Sequence, residues 1–162
     1  MKLRLKKTKS TPSDHLLIGI SSAHEDFRLS YFLNKRFQTS FIKLPDVPFY
    51  NAKGLIGRFK FHSFYNPDLR IEYYLFSNKN KQSVVIPKYR HFEYFVLFKH
   101  TTFSVPVEDI LKDLWSIPIV NAAIRIPLEN IKNLEDILED IELHLLEVNS
   151  HVNKKEAPHW LW

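Results

Sequence analysis

Two aromatic, alternating runs joined by four turn-forming residues constrain this chain more than any other feature in it. Gly57–Tyr65 and Arg70–Ser77 are separated by Asn66-Pro67-Asp68-Leu69. Alternation at period two sends successive side chains to opposite faces of a strand. Pro67 fixes φ, and Asp68 is expected to bond its own backbone in an Asx turn, so the joint is a turn. The pattern predicts a β-hairpin. Phe59 and Phe61 fall on one face, and Arg58, Lys60 and His62 on the other. An antiparallel sheet usually packs one face on a core. Phe59 and Phe61 are therefore expected to be interior.

Other elements arrange themselves around this hairpin. His15–Ile20 reads as a short buried strand. Ser22-x-x-Glu25 is a capping box, and it predicts a helix over Ala23–Phe37. Leu29, Phe32, Leu33 and Phe37 share its inner face, with Phe27 and Tyr31 beside them as an i, i+4 pair. Residues 39–57 hold Pro45, Pro48 and two glycines, and read as an irregular connection with a short strand at Ser40–Leu44. Val84–Ile86 and Phe92–Lys99 read as strand pieces. In the second, Phe92 and Tyr94 are expected on one face, and Glu93 on the other, opposite a base such as Lys60. Pro106 opens a helix to about Ser116. Ile119–Ile126 is a further strand. Ile131, Leu134, Leu138, Ile141, Leu145 and Val148 mark an amphipathic helix whose other face is acidic.

The order predicts an α+β fold in one domain, residues 15–148. It holds a single, largely antiparallel sheet of about five strands, with two helices covering one face and a C-terminal acidic amphipathic helix. Residues 1–14 read as a basic flexible arm and 149–162 as a polar tail ending in Trp160-Leu161-Trp162.

The formal net charge of +5 sits in the arm. Lys2, Arg4, Lys6, Lys7 and Lys9 have no acid among them, while residues 10–162 balance 18 basic against 18 acidic residues. That remainder is polarised: 28–100 is basic and 101–162 acidic. The apolar run Leu16–Ile20 is too short for a secretory signal, and nothing nears the roughly 18 apolar residues of a membrane span. A soluble cytoplasmic protein is the expectation. Without cysteine, disulfides, thiolate zinc sites and cysteine nucleophiles are excluded. Three glycines exclude a glycine-rich phosphate loop.

At Ile86 the chain reads Ile-Pro-Lys-Tyr-Arg-His-Phe-Glu-Tyr. This resembles the signature of a bacterial family named after its motif, IPExxxVDY. Ile86, Pro87 and Tyr94 match, Glu93 stands for Asp, Lys88 for the motif Glu, and Phe92 for Val. Leu17–Ser22, Arg28-Leu29 with Leu33-Asn34-Lys35, and Tyr73–Lys79 are also similar to that family. The resemblance covers about residues 15–130. It implies a small bacterial cytoplasmic protein, and the family, having no established activity, supplies no catalytic residues.

The chemistry-bearing residues form no strong motif. Eight histidines include no HxH or HExxH pair, so no metal site is expected. Gly19-Ile20-Ser21-Ser22-Ala23 lacks the second glycine of a hydrolase elbow. No cofactor is implied, and the chain leans away from catalysis. The leading expectation is a binding or adaptor protein acting through protein–protein contacts, with a homodimer through 131–148 as one form. Its candidate contact residues are Arg28, Asn34, Lys35, Asn78 and Lys79, polar groups where packing does not require them. The alternative is an RNA- or DNA-associated protein, with the arm and a hairpin face of Arg58, Lys60, His62 and Arg70 tracking phosphates.

Overall fold

The computed structural model describes residues 14–100 and 106–155, with side chains as far as residue 150. Its strands are β1 (His15–Ser21), β2 (Ile42–Asn51), β3 (Gly54–Asn66), β4 (Ile71–Ser77), β5 (Tyr94–Lys99) and β6 (Ala122–Arg125). Its α-helices are α1 (Asp26–Phe37), α2 (Val107–Trp115) and α3 (Leu134–Lys155). The strands form one antiparallel sheet in the order β2-β3-β4-β5-β1-β6. The fold is α+β with a single sheet, as expected, and has six strands rather than five.

β2 overlaps the short strand expected at Ser40–Leu44 and extends it to Asn51, through the segment read as irregular. β2 runs through both Pro45 and Pro48. Proline cannot donate to a ladder, so it is confined to edges and bulges. β2 is an edge strand, and its register with β3 shifts between Leu44 and Val47, where Pro45 lies. The tight joint between β2 and β3 has Gly54 at φ 122°, a conformation open to glycine.

The predicted hairpin is β3–β4, in register from Phe61 opposite Phe76 to Asn66 opposite Ile71. The Asx bonds come from Asn66 rather than Asp68: the Asn66 Oδ1 accepts from the amides of Asp68 (3.0 Å) and Leu69 (3.1 Å). Phe59 and Phe61 are buried, as the alternation predicts. Burying each ring is worth roughly 1.5–3 kcal/mol.

The sheet is covered on both faces. Leu16, Ile18, Ile20, Val96 and Phe98 pack with Leu29 and Leu33 of α1 and Leu111 and Leu114 of α2. The opposite side chains Leu17, Phe61, Phe95 and Leu97 pack with Leu134, Ile137 and Ile141 of α3. The stripe of α3 thus closes on its own sheet, on the face away from α1 and α2. Ile131 ends a short 3-10 turn, so α3 begins at Leu134, and it continues past Val148 to Lys155. The basic arm and Trp160–Trp162 lie outside the described residues.

Three local expectations are corrected. α1 starts at Asp26 with Glu25 as its N-cap and no side-chain cap bond, so Ser22 is not the cap. The Ser22 amide instead donates to Glu93 Oε1 at 2.9 Å. Val84 makes an isolated bridge to Lys79 rather than opening a strand. Phe92 and Tyr94 point to opposite faces, because Phe92 precedes β5 in a turned segment where strand alternation does not apply.

Candidate functional site

The inner face of α1 is set by burial of Asp26, Leu29, Ser30 and Leu33. The remaining positions make an outer ridge of Phe27, Tyr31 and Lys35 at i, i+4 and i+8, flanked by Arg28. Phe27 is 62% exposed and Tyr31 57%. Lys35 Nζ stands 5.8 Å from the Tyr31 ring centroid, within cation–π range. Arg28 and Lys35 are exposed. This ridge joins two largely exposed rings to two cations, with Tyr31 meeting the partly buried Phe32 edge-on at 5.4 Å.

Buried bonds hold the ridge in place. Under the start of α1, Asp26 Oδ2 accepts from Lys43 Nζ at 2.6 Å and from His62 Nε2 at 2.7 Å. Burial pushes the Asp26 carboxyl up, but the two hydrogen bonds outweigh it and hold it below the usual carboxylate range. Burial holds the His62 imidazole below its ordinary value despite the opposing pull of Asp26. His62 is therefore neutral at pH 7, with its proton on Nε2. Its buried Nδ1 has no hydrogen-bond partner among the described residues, which suits a bare lone pair better than an N–H. The Tyr94 hydroxyl donates to the His24 carbonyl at 2.6 Å, and burial raises its pKa.

The other end of α1 is tied just as firmly. Asn34 acts as a substitute strand partner for Phe41: its Oδ1 accepts from the Phe41 amide at 2.7 Å and its Nδ2 donates to the Phe41 carbonyl at 3.3 Å. Arg36 bonds Asp113 at 2.6 Å and Ser116 at 3.1 Å, joining α1 to α2. Asn34 thus serves the chain's own backbone.

Asn78 does the same for the segment that carries the family resemblance. It is fully buried. Its Nδ2 donates to the carbonyls of Tyr89 (3.0 Å) and Phe92 (3.1 Å), and its Oδ1 accepts from the Ile86 amide (2.8 Å). Lys79 Nζ lies 3.4 Å from Glu93 Oε2, so Lys79, not Lys60, is the partner of Glu93. Of the five predicted contact residues, Arg28 and Lys35 share the α1 ridge, Asn34 and Asn78 face inward, and Lys79 is half-exposed beside Glu93. The rings Phe27 and Tyr31 were missing from that set. Their position off the buried stripe was the signal for them.

The alternative set does not converge either. Arg58 and Lys60 are exposed, but His62 is 2% exposed and committed to Asp26. Arg70 sits in the β3–β4 turn with φ 56°. Eight residues of β3 separate Arg58 from the turn at Asn66, about 26 Å. Phe59 and Phe61 beside them are interior, so neither ring is open to stack on a base.

An apolar cavity of about 270 Å³ lies between α1, α2 and the sheet, walled by Leu33, Phe37, Phe41, Tyr73, Phe98 and Ile110. Its other polar lining is Gln38, Thr39 and Asn66, with no carboxylate or imidazole among the described residues. Among the described residues, no three His, Asp or Glu side chains are placed to hold a metal ion, and no helix is long and apolar enough to cross a membrane. No family model, curated protein or solved structure matches this chain.

Proposed function

We propose that this chain is a binding protein that works through protein–protein contacts, with the α1 ridge as its contact face. The observation that carries this reading is the pairing of two bare rings, Phe27 and Tyr31, with Arg28 and Lys35 on a helix anchored at both ends. Aromatic and Arg side chains are the usual anchors of interfaces. A pre-set helix adds no ordering cost when a partner lands on it. The cations select a partner face that is acidic and carries exposed aliphatic side chains.

The test is a photo-crosslinking residue at position 31, with one at exposed Arg90 as the control. The expected result is a protein adduct from position 31 that is absent from position 90 and lost when Arg28 and Lys35 are changed to Glu. No protein adduct from position 31, or an adduct to nucleic acid alone, overturns the reading.

A further inference from the structure

We propose that the partner face recognised by the α1 ridge is the outer face of α3 on a second copy of this chain. This rests on the binding reading above and names its partner.

The outer face of α3 has the required chemistry. With Leu134, Ile137, Ile141, His144 and Val148 turned to the sheet, its exposed positions include Glu135, Asp136, Glu139 and Glu142, then Leu143 and Leu146, then Glu147. Leu143 is 57% exposed and Leu146 67%. Together with Phe27 and Tyr31 these leucines are among the most exposed large apolar side chains of the described residues. One face offers two rings and two cations, the other two leucines and a group of carboxylates. An α3–α3 contact would set carboxylate against carboxylate, which costs free energy. An α1–α3 contact sets opposite charges around an apolar centre.

The topology decides the form of the assembly. α1 and α3 lie on opposite faces of the sheet. One copy cannot turn both faces to the same neighbour, so the contact is head-to-tail. Each added copy leaves an α1 ridge free at one end and an α3 face at the other. The assembly therefore grows past the dimer, as an open stack or a closed ring. A contact of one helix on another is small, so association is weak and falls with added salt.

Light scattering with sedimentation from about 1 µM to about 1 mM, at low and high salt, reads this directly. The expected result for the full chain is an average mass that rises past two copies at low salt and falls back at high salt. Two charge-reversed proteins sharpen the test: Arg28→Glu/Lys35→Glu and Asp136→Lys/Glu139→Lys. All four side chains are on the exposed surface, so circular dichroism should show both folded. Each alone should remain single, and an equimolar mixture should regain association past the dimer, because the unaltered α1 ridge of one protein meets the unaltered α3 face of the other and the two reversed faces attract in turn. A full chain that stays single at every concentration overturns the proposal. So does one that stops at the dimer, or reversed proteins that associate as the parent does. A single chain that still gives the position-31 adduct with a different protein removes the second-copy proposal alone and leaves the binding face standing.

Discussion

His62 Nε2 lies 2.7 Å from Asp26 Oδ2, a contact 36 residues apart in sequence that ties the middle of β3 to the first residue of α1. Both groups are buried, and the second donor to the carboxylate, Lys43, is 46% exposed in its side chain. Asp26 also sits at a helix N-terminus, where the backbone dipole favours negative charge.

This pair makes stability fall with acid. The His62 pKa is lowered on folding from 6.5, so below pH 6.5 the unfolded chain binds more protons than the folded one. Its contribution is complete above pH 6.5 and is lost as pH falls through the folded value. Asp26, also lowered, adds a second loss in the same direction below pH 3.8. Urea midpoints should drop from pH 7.5 to pH 5, and His62→Gln should show a shallower drop. Equal slopes for parent and variant would remove His62 as the cause.

The same geometry separates its two donors. Asp26→Ala leaves a buried imidazole N–H without an acceptor, at a cost of about 2–3 kcal/mol. Lys43→Met removes a half-exposed cation from a buried carboxylate that His62 still bonds, at a cost of about 1–2 kcal/mol. Denaturant titration of both at pH 7 checks the order, and a larger loss for Lys43→Met would contradict it.

How far this was legible in the sequence depends on the range of the signal. The β3–β4 hairpin was plain, because alternation and turn chemistry are local. So was the inner stripe of α3, because periodicity reports a face. Periodicity does not report which face of the sheet that stripe covers, and α3 lies opposite α1. His62 alternates with Lys60 and Arg58 and was read with them, since nothing near it shows that Asp26 will arrive from another element. β2 was read only as a short strand at Ser40–Leu44, because its two prolines argue against a longer one and edge position cannot be seen before the sheet is assembled. Asn34 and Asn78 looked like free polar groups. Their bonds to the backbone of Phe41, Ile86, Tyr89 and Phe92 exist only once loops have folded around them.

Asn78 offers the sharpest test of that last point. Asn78→Ala removes a partner from the Ile86 amide, from the buried Phe92 carbonyl and from the part-buried Tyr89 carbonyl at once. At about 1 kcal/mol for each lost bond, the cost is about 3 kcal/mol. The Ile86 amide should also lose hydrogen-exchange protection ahead of the β4 and β5 amides. If protection at Ile86 survives the substitution, Asn78 does not organise the segment.

The α1 ridge makes the opposite prediction. Phe27 and Tyr31 are large and apolar, and in a core their loss would be severe. Here both are more than half exposed, while Leu29 and Leu33 on the inner face are buried. Phe27→Ser with Tyr31→Ser should change stability by no more than about 0.5 kcal/mol at each site, the ordinary range for surface substitution. Leu33→Ala should cost about 2–5 kcal/mol, from lost transfer energy plus the cavity left beside α2. Thermal melting of the three proteins distinguishes the cases. A ridge whose rings can be removed without harm to the fold, while Phe27→Ser abolishes the position-31 adduct, is held for a partner. If removing the rings lowers stability as Leu33→Ala does, they are part of the core and the contact face is not α1.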